Sequence, residues 1–336
     1  MKFSDIKHKI KNNPGFKSLK EIREAGYRIV KERDGDRYFL AKQEELKPLL
    51  IRLGDIAEVR FGIKTGCNEF FYLPSKHFDI RKEGKYYELI PKHEGLPKGV
   101  RIEEEYLRPV IKSSRECKGF QIDPSNLNQF IFLLSPKTIK GKEAFKYVRW
   151  GENKGFNKVP SCSSRSEWWF LGDRRFPQII SSCSVAELYR AFDNTGVLAD
   201  KRLYEIYVDS EEKEQVLLSL CSTLTTLFLE TGSRTGLGLG LLDLTVYELA
   251  DCLVVHPNLI KGKQIPNKKR EVNGLVELGI NPSIPIREQT PNPLPDRKAL
   301  DDVVFDILGL TQDERNEAYW SVCELVKHRL EKARSV

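Results

Sequence analysis

Between Leu53 and His256, short runs rich in β-branched and aromatic residues recur without a helix following each one, and this irregular spacing limits the fold more than any other feature. Residues 56–60, 70–73, 86–90, 129–134, 167–171, 178–180 and 203–208 read as strands, separated by loops that carry Gly, Pro, Asn and charge. A doubly wound parallel sheet needs strands and helices in regular alternation. The pattern therefore predicts an α+β fold with mixed or antiparallel pairing. One helix is expected over residues 211–230, where Leu217, Leu220, Cys221, Leu224 and Phe228 share a face and Glu211 and Glu212 suit the positive end of the dipole.

The flanks differ from this middle. Residues 1–50 read as a small αββα appendage or lead-in: a helix stopped by Gly26, a hairpin around Asp34-Gly35, and a short helix over 43–50. Residues 51–257 form the main domain. Residues 258–295, with Pro266, Pro282, Pro285, Pro291, Pro293 and Pro295 and a basic run from Lys261 to Arg270, read as a connector. Residues 296–336 read as a helical pair. Asp296 is the expected cap of the first helix, Gly309 its stop, and Thr311 with Glu314 a capping box for the second. Tyr319, Val322, Val326, Leu330 and Ala333 make an apolar stripe along that second helix, as core or partner packing requires.

Residues 60–72, Arg-Phe-Gly-Ile-Lys-Thr-Gly-Cys-Asn-Glu-Phe-Phe-Tyr, join a basic loop hinged by Gly62 and Gly66 to an aromatic run. Such a loop suits close approach to a phosphate backbone, and it equally suits an ordinary hairpin turn.

The net charge of +7, from 55 Lys and Arg against 48 Asp and Glu, permits an acidic partner without demanding one. The seven cysteines are scattered and never form a Cys-x-x-Cys pair, and the five histidines have no helical ligand spacing, which argues against a disulfide framework or a structural zinc site. No apolar run approaches the ~20 residues needed to span a bilayer. The first residues lack a signal-peptide core, so a cytoplasmic protein with no membrane partner is expected.

Gly236-Leu237-Gly238-Leu239-Gly240 resembles a cofactor loop in composition but follows a predicted helix and leads into an alternating segment, the reverse of what a dinucleotide or S-adenosylmethionine site needs. Asp55, Glu83 and Lys85 could hold a magnesium ion and a water in a nuclease, although Glu-x-Lys triplets recur by chance in a chain that is 31% charged. More informative are three clusters in which bases, aromatics and small polar residues interleave. They are Lys112-Ser113-Ser114-Arg115 with Lys118, Arg149-Trp150-Gly151-Glu152-Asn153-Lys154, and Arg165-Ser166-Glu167-Trp168-Trp169 with Arg174-Arg175. They mix phosphate donors with side chains able to read base edges, or else they are a solvated face over a strand in which Trp168 and Trp169 alternate.

Gly62-Ile63-Lys64-Thr65-Gly66-Cys67-Asn68-Glu69-Phe70-Phe71 resembles the Gly-Ile-x-Thr-Gly-x-Asn-Glu-x-Phe signature that opens the target-recognition region of many adenine-specific DNA methyltransferases of restriction-modification systems, of the TaqI-like specificity kind. The resemblance continues in order. Tyr106 to Glu116, Trp169 with Phe176-Pro177-Gln178-Ile179-Ile180, Asn194-Thr195-Gly196-Val197 with Tyr204, and Gly238 to Pro257 resemble later blocks, and the C-terminal helical pair resembles the tail of one subgroup.

The resemblance implies a sequence-specific partner, double-stranded DNA. On it, Lys64, Lys112, Arg115, Lys154 and Arg175 are expected at phosphates, Asn68, Arg165, Trp168 and Arg174 near base edges, and Arg60, Thr65 and Trp169 elsewhere in the contact surface. The family's Asn-Pro-Pro-Tyr or Asp-Pro-Pro-Tyr motif is absent, since Asn13-Pro14, Asn281-Pro282 and Asn292-Pro293 lack a following Pro-aromatic. Roughly 50 residues ahead of the first block are too few for a catalytic domain of ~100 or more. The expectation is therefore a specificity half with no cofactor of its own, S-adenosylmethionine being held by a separate catalytic methyltransferase domain or subunit. The alternatives are the magnesium-dependent nuclease and a non-catalytic interaction subunit.

Overall fold

The run Leu-Tyr-Glu-Ile-Tyr-Val is buried along its whole length, which requires cover on both faces. It forms the strand Leu203–Val208 inside a four-stranded antiparallel sheet whose order is Ala191–Asp193, Ile179–Ser182, Leu203–Val208, Ala57–Phe61. The computed structural model describes residues 7–10, 14–31, 38–42, 49–138, 143–233 and 240–334. A second four-stranded sheet runs Leu198–Ala199, Leu107–Ile111, Gln129–Phe132, Tyr72–Pro74, with the first pair parallel and the others antiparallel. Phe78–Glu83, Tyr86–Pro91 and Val100–Glu103 make a three-stranded antiparallel sheet. The fold is α+β with mixed and antiparallel sheets and C-terminal helices, as the strand spacing requires.

Two main cores underlie these sheets. One is aromatic, with Phe70, Phe71, Phe132, Tyr147 and Trp169 among its buried residues. The other is mostly aliphatic and draws on residues from Leu53 to Val326. A small cluster of Ile111, Ile122, Ile180, Phe192, Val197 and Leu203 draws on strands of both four-stranded sheets and on the loops beside them.

Several expected elements differ, each for a tertiary reason. Phe70 and Phe71 are not in a strand: Asn68–Phe71 is a single helical turn, and the strand starts at Tyr72. From that turn the Phe70 ring reaches Trp168, Tyr147 and Phe132 at 4.5, 5.0 and 5.7 Å, and this aromatic packing overrides β-propensity. Residues 167–171 form a turn running into irregular backbone rather than a strand, so the two tryptophans do not alternate between faces; both join the aromatic core.

The helix expected over 211–230 is two helices, Lys213–Leu220 and Thr223–Gly232. Ser222 breaks it by leaving helical geometry and accepting the Thr225 amide at 3.3 Å, while Asp301 accepts the Thr223 amide at 2.7 Å. Burial raises the Asp301 carboxyl above its ordinary pKa, against the opposing pull of Arg297 and Thr223.

The proline-rich stretch is no free connector. Ile260, Ile265, Leu275, Leu278, Ile280 and Ile286 are buried in the aliphatic core. Glu277, fully buried, accepts from Arg270 at 2.6 Å and from Arg297 at 2.9 Å, which fastens the stretch to the helix Pro295–Leu308. That helix starts with Pro295 after Leu294, so Asp296 lies in its first turn rather than at its cap. It ends at Gly309 in the left-handed conformation with φ 71°. Thr311 and Glu314 do form the reciprocal cap, at 2.8 and 3.3 Å, before the helix Gln312–Arg334. Tyr319, Val322 and Val326 of its stripe are buried in the same aliphatic core, so neither residue 257 nor residue 295 separates two cores.

At the N-terminal end, the helix Leu19–Glu24 precedes the hairpin Tyr27–Lys31 and Tyr38–Lys42, with Ile10, Ile22 and Leu40 beneath. The expected Asp34-Gly35 turn and most of the expected 43–50 helix lie outside the described residues; Leu50 itself opens a strand paired with Leu253–Val255. Among the described residues, no helix is long and apolar enough to cross a membrane.

Candidate nucleic-acid interface

Backbone contacts fix the glycine-hinged loop from several sides. The Gly62 amide donates to the Leu203 carbonyl at 3.0 Å, Ile63 to Ala199 at 2.7 Å, and Lys201 back to Ile63 at 3.1 Å. Gly62 is required by that closeness, because a Cβ there would collide with the carbonyl oxygens of Ala199 and Asp200. Gly66 takes φ +70°, and the Ser161 hydroxyl donates to its carbonyl at 2.7 Å. Arg165 completes the frame, donating to the Thr65 carbonyl at 2.7 Å and the Trp168 carbonyl at 3.2 Å with its guanidinium 5.5 Å from the Phe71 ring centre.

The result sorts the loop's side chains. Thr65 is buried, its hydroxyl donating to Asn68, while Lys64, Asn68 and Glu69 are exposed. Lys64 stands 4.8 Å over the ring of Phe61, itself exposed at the sheet edge.

Lys64, Asn68 and Glu69 line a cleft of about 640 Å³ together with Phe156, Val159 and Lys201. Asn68, Glu69 and Phe156 also line a second cleft of about 610 Å³, together with Lys76, His77, Lys112, Gln129 and Lys154. Through these shared residues the two clefts adjoin. Lys112 sits 4.4 Å over the Tyr72 ring, whose hydroxyl donates to buried Asp200 at 2.6 Å. Partial burial, then the charges of Lys76 and His93, hold His77 below the usual imidazole pKa; the His93 ring lies 5.7 Å away. Flexible amines on the walls and amide and carboxylate side chains between them are what a phosphate backbone and base edges call for.

Not all the expected contact residues share this face. Lys64, Thr65, Asn68, Lys112 and Lys154 do, Thr65 with its side chain buried, while Arg165 lines neither cleft and supports the Thr65 carbonyl. Trp169 is buried, and Trp168 donates its indole N–H to Glu152 at 3.3 Å with its ring on Phe70, so both tryptophans act as core. Arg60 and Arg175 share Glu58, the Arg175 bond being 2.6 Å, and flank the Tyr207 ring at 5.7 and 4.0 Å. Arg174 borders a small cleft with Glu105, Arg108 and Phe176, and Arg115 another with Lys118 and Lys269. Lys76, His77, Gln129 and Lys201 join the face although no motif marks them.

The other chemical candidates fare differently. Asp55 lies in the turn Leu53–Ile56 against the helix Val246–Asp251, whereas Glu83 and Lys85 flank the tip of the hairpin Phe78–Glu83 and Tyr86–Pro91. Among the described residues, no group of three or more His, Cys, Asp or Glu side chains is placed to hold a metal ion. The glycine repeat lies outside the described residues apart from Gly240.

The family model for the C-terminal domain of the type II methyltransferase M.Eco57I matches residues 36–277. The chain belongs to that family. It is also 23% identical over 181 residues to the type II methyltransferase M.AccI of Acinetobacter calcoaceticus, covering 52% of this chain and 30% of that protein. The crystal structure of the type IIG restriction endonuclease BpuSI superimposes with a TM-score of 0.50 at 14% identity, covering 87% of this chain and 32% of that one. The superposition bears on the fold. The chain spans about a third of the length of each of these two proteins. A C-terminal domain of a restriction-modification methyltransferase is thus the setting in which the basic face has to be understood.

Proposed function

We propose that this chain is the sequence-specific DNA-binding part, TaqI-like in its specificity region, of an adenine-specific methyltransferase of a restriction-modification system, and that it acts in the cytoplasm. It places a catalytic domain or subunit, which carries S-adenosylmethionine, on a duplex target. The observation that carries this reading is the pair of adjoining clefts lined by Lys64, Lys76, Lys112, Lys154 and Lys201 together with Asn68 and Gln129. In this role the lysines neutralise phosphates and fix register, and the amide side chains approach base edges. Family membership and the absent Asn-Pro-Pro-Tyr motif favour a recognition role over methyl transfer by this chain alone.

Titration of a fluorescent 24-base-pair duplex across salt tests the proposal. If all five amines meet phosphates, log affinity falls against log salt with a slope of about −4.5. A flat salt dependence sinks it. Methylation that appears only when a catalytic partner is added would separate a specificity module from a complete enzyme.

A further inference from the structure

A second basic cleft, of about 760 Å³, lies beyond the Lys112 edge of this face, lined by Arg115, Lys118, Gln121, Asn126, Thr195 and Lys269 among others. Its shape is fixed from behind. Arg190 donates to the Ser114 carbonyl at 3.3 Å and the Lys118 carbonyl at 3.1 Å, and the Val272 amide donates to the Lys118 carbonyl at 2.9 Å. Gly119 lets the backbone of residues 268–270 lie directly against it, where any Cβ would collide with the Lys268 and Arg270 carbonyls.

That contact divides three consecutive cations by direction. Lys268 is spent inward on Asp193 and Glu214, and Arg270 inward on Glu277 and Asp296. Lys269, between them, is exposed and lines the cleft with Arg115 and Lys118. The cleft's carboxylates are turned to local donors: Glu116 accepts the Lys112 amide at 3.0 Å, and Asp123 accepts the Ser125 amide and hydroxyl at 2.9 and 2.6 Å.

We propose that this cleft grips the phosphate backbone of the same duplex, flanking the part held by the first face. The inference rests on the duplex-binding reading. Lys112 lines the first face and Arg115 the second, three residues on, so their Cα atoms are at most about 10 Å apart. That distance is about three base pairs of helical rise. On the proposed path, a duplex continued past Lys112 meets Arg115, Lys118 and Lys269 next. The basic run of the proline-rich stretch thereby gains a role that its sequence position, more than 200 residues after Lys64, does not announce.

The test compares the parent chain with Lys118→Gln/Lys269→Gln, Lys64→Gln/Lys201→Gln and the quadruple variant on one 24-base-pair duplex, and on one of its strands alone, across salt. Each pair is expected to make the slope shallower by about 1.8, and the two effects to add. All four positions are exposed, so unchanged thermal unfolding midpoints separate lost contacts from lost fold. If Lys64→Gln/Lys201→Gln lowers the slope while Lys118→Gln/Lys269→Gln does not, the flanking grip is wrong and the first reading stands. If Lys118→Gln/Lys269→Gln impairs single-stranded but not duplex binding, the cleft serves another strand and the proposal is overturned. If the parent shows no salt-dependent duplex binding, both readings fall together.

Discussion

The aromatic and aliphatic cores treat charge in opposite ways. Over the aromatic core, Lys64, Asn68 and Lys154 are exposed on a concave face, and Lys76, Lys112 and Lys201 line the same walls. In the aliphatic core, cations are taken out of solvent. Arg297 is 2% exposed and meets Glu277 at 2.9 Å, and Arg329 meets Glu230 at 2.6 Å while donating to the Ala186 carbonyl at 3.0 Å. A net charge of +7 therefore says little until each cation is assigned to one role or the other. Buried cations hold segments together, and exposed ones are available to a polyanion.

The comparison breaks most visibly at Arg297. Arg297→Ala leaves Glu277 with a single guanidinium partner and a void beside it, so a loss of about 3–5 kcal/mol is expected in urea unfolding. Acid probes the same network. Burial acts to raise the Glu277 carboxyl, but Arg270 and Arg297 outweigh it and hold the group below its ordinary value of 4.5. Because the folded pKa is the lower one, this stabilisation is fully present above about pH 4.5 and is lost as pH falls through the folded value. Stability measured from pH 6 to pH 2 should show this loss only below about pH 4.5, with a shallower fall there in Glu277→Gln.

A smaller break is Gly62→Ala, whose added methyl has no space against Ala199 and Asp200. About 1–3 kcal/mol of destabilisation is expected by thermal melting, with weaker duplex binding as the Lys64 loop shifts. Lys64→Gln/Lys201→Gln sharpens the contrast from the other side: stability should stay within about 0.5 kcal/mol while the salt slope of DNA binding drops by about 1.8. The smallest effect is expected for Arg60→Gln, because Arg60 already shares Glu58 with Arg175. The slope should change by less than the roughly 0.9 of a free phosphate contact. A full change there would move the interface onto the Arg60 edge.

Much of the plan was readable before any tertiary contact was known. Strand spacing gave the fold class, and the Thr311 and Glu314 cap and the Gly309 stop follow from local chemistry within one turn of helix. The hinge at Gly62 was visible too, but not its reason, which is a carbonyl pair more than 130 residues away. The strand expected at Phe70 and Phe71 failed because their partners, Tyr147 and Trp168, come from distant segments. Composition does not reveal which way a side chain faces: Trp168 and Trp169 pack in the aromatic core, and Arg165 holds the Thr65 carbonyl.

Sequence by itself thus determined the α+β class, the helical C-terminus, the basic excess and the loop that resembles a target-recognition signature. Tertiary structure alone decided which cations are spent. Lys268, Lys269 and Arg270 are alike as residue types, yet backbone packing against Gly119 directs two of them inward to carboxylates and one outward. The same holds for the proline-rich stretch, whose isoleucines and leucines find their partners only in the assembled aliphatic core. The physical reason is range: turns and caps are settled by neighbours along the chain, whereas a side chain's direction and its ion-pair partner depend on segments brought close only by folding.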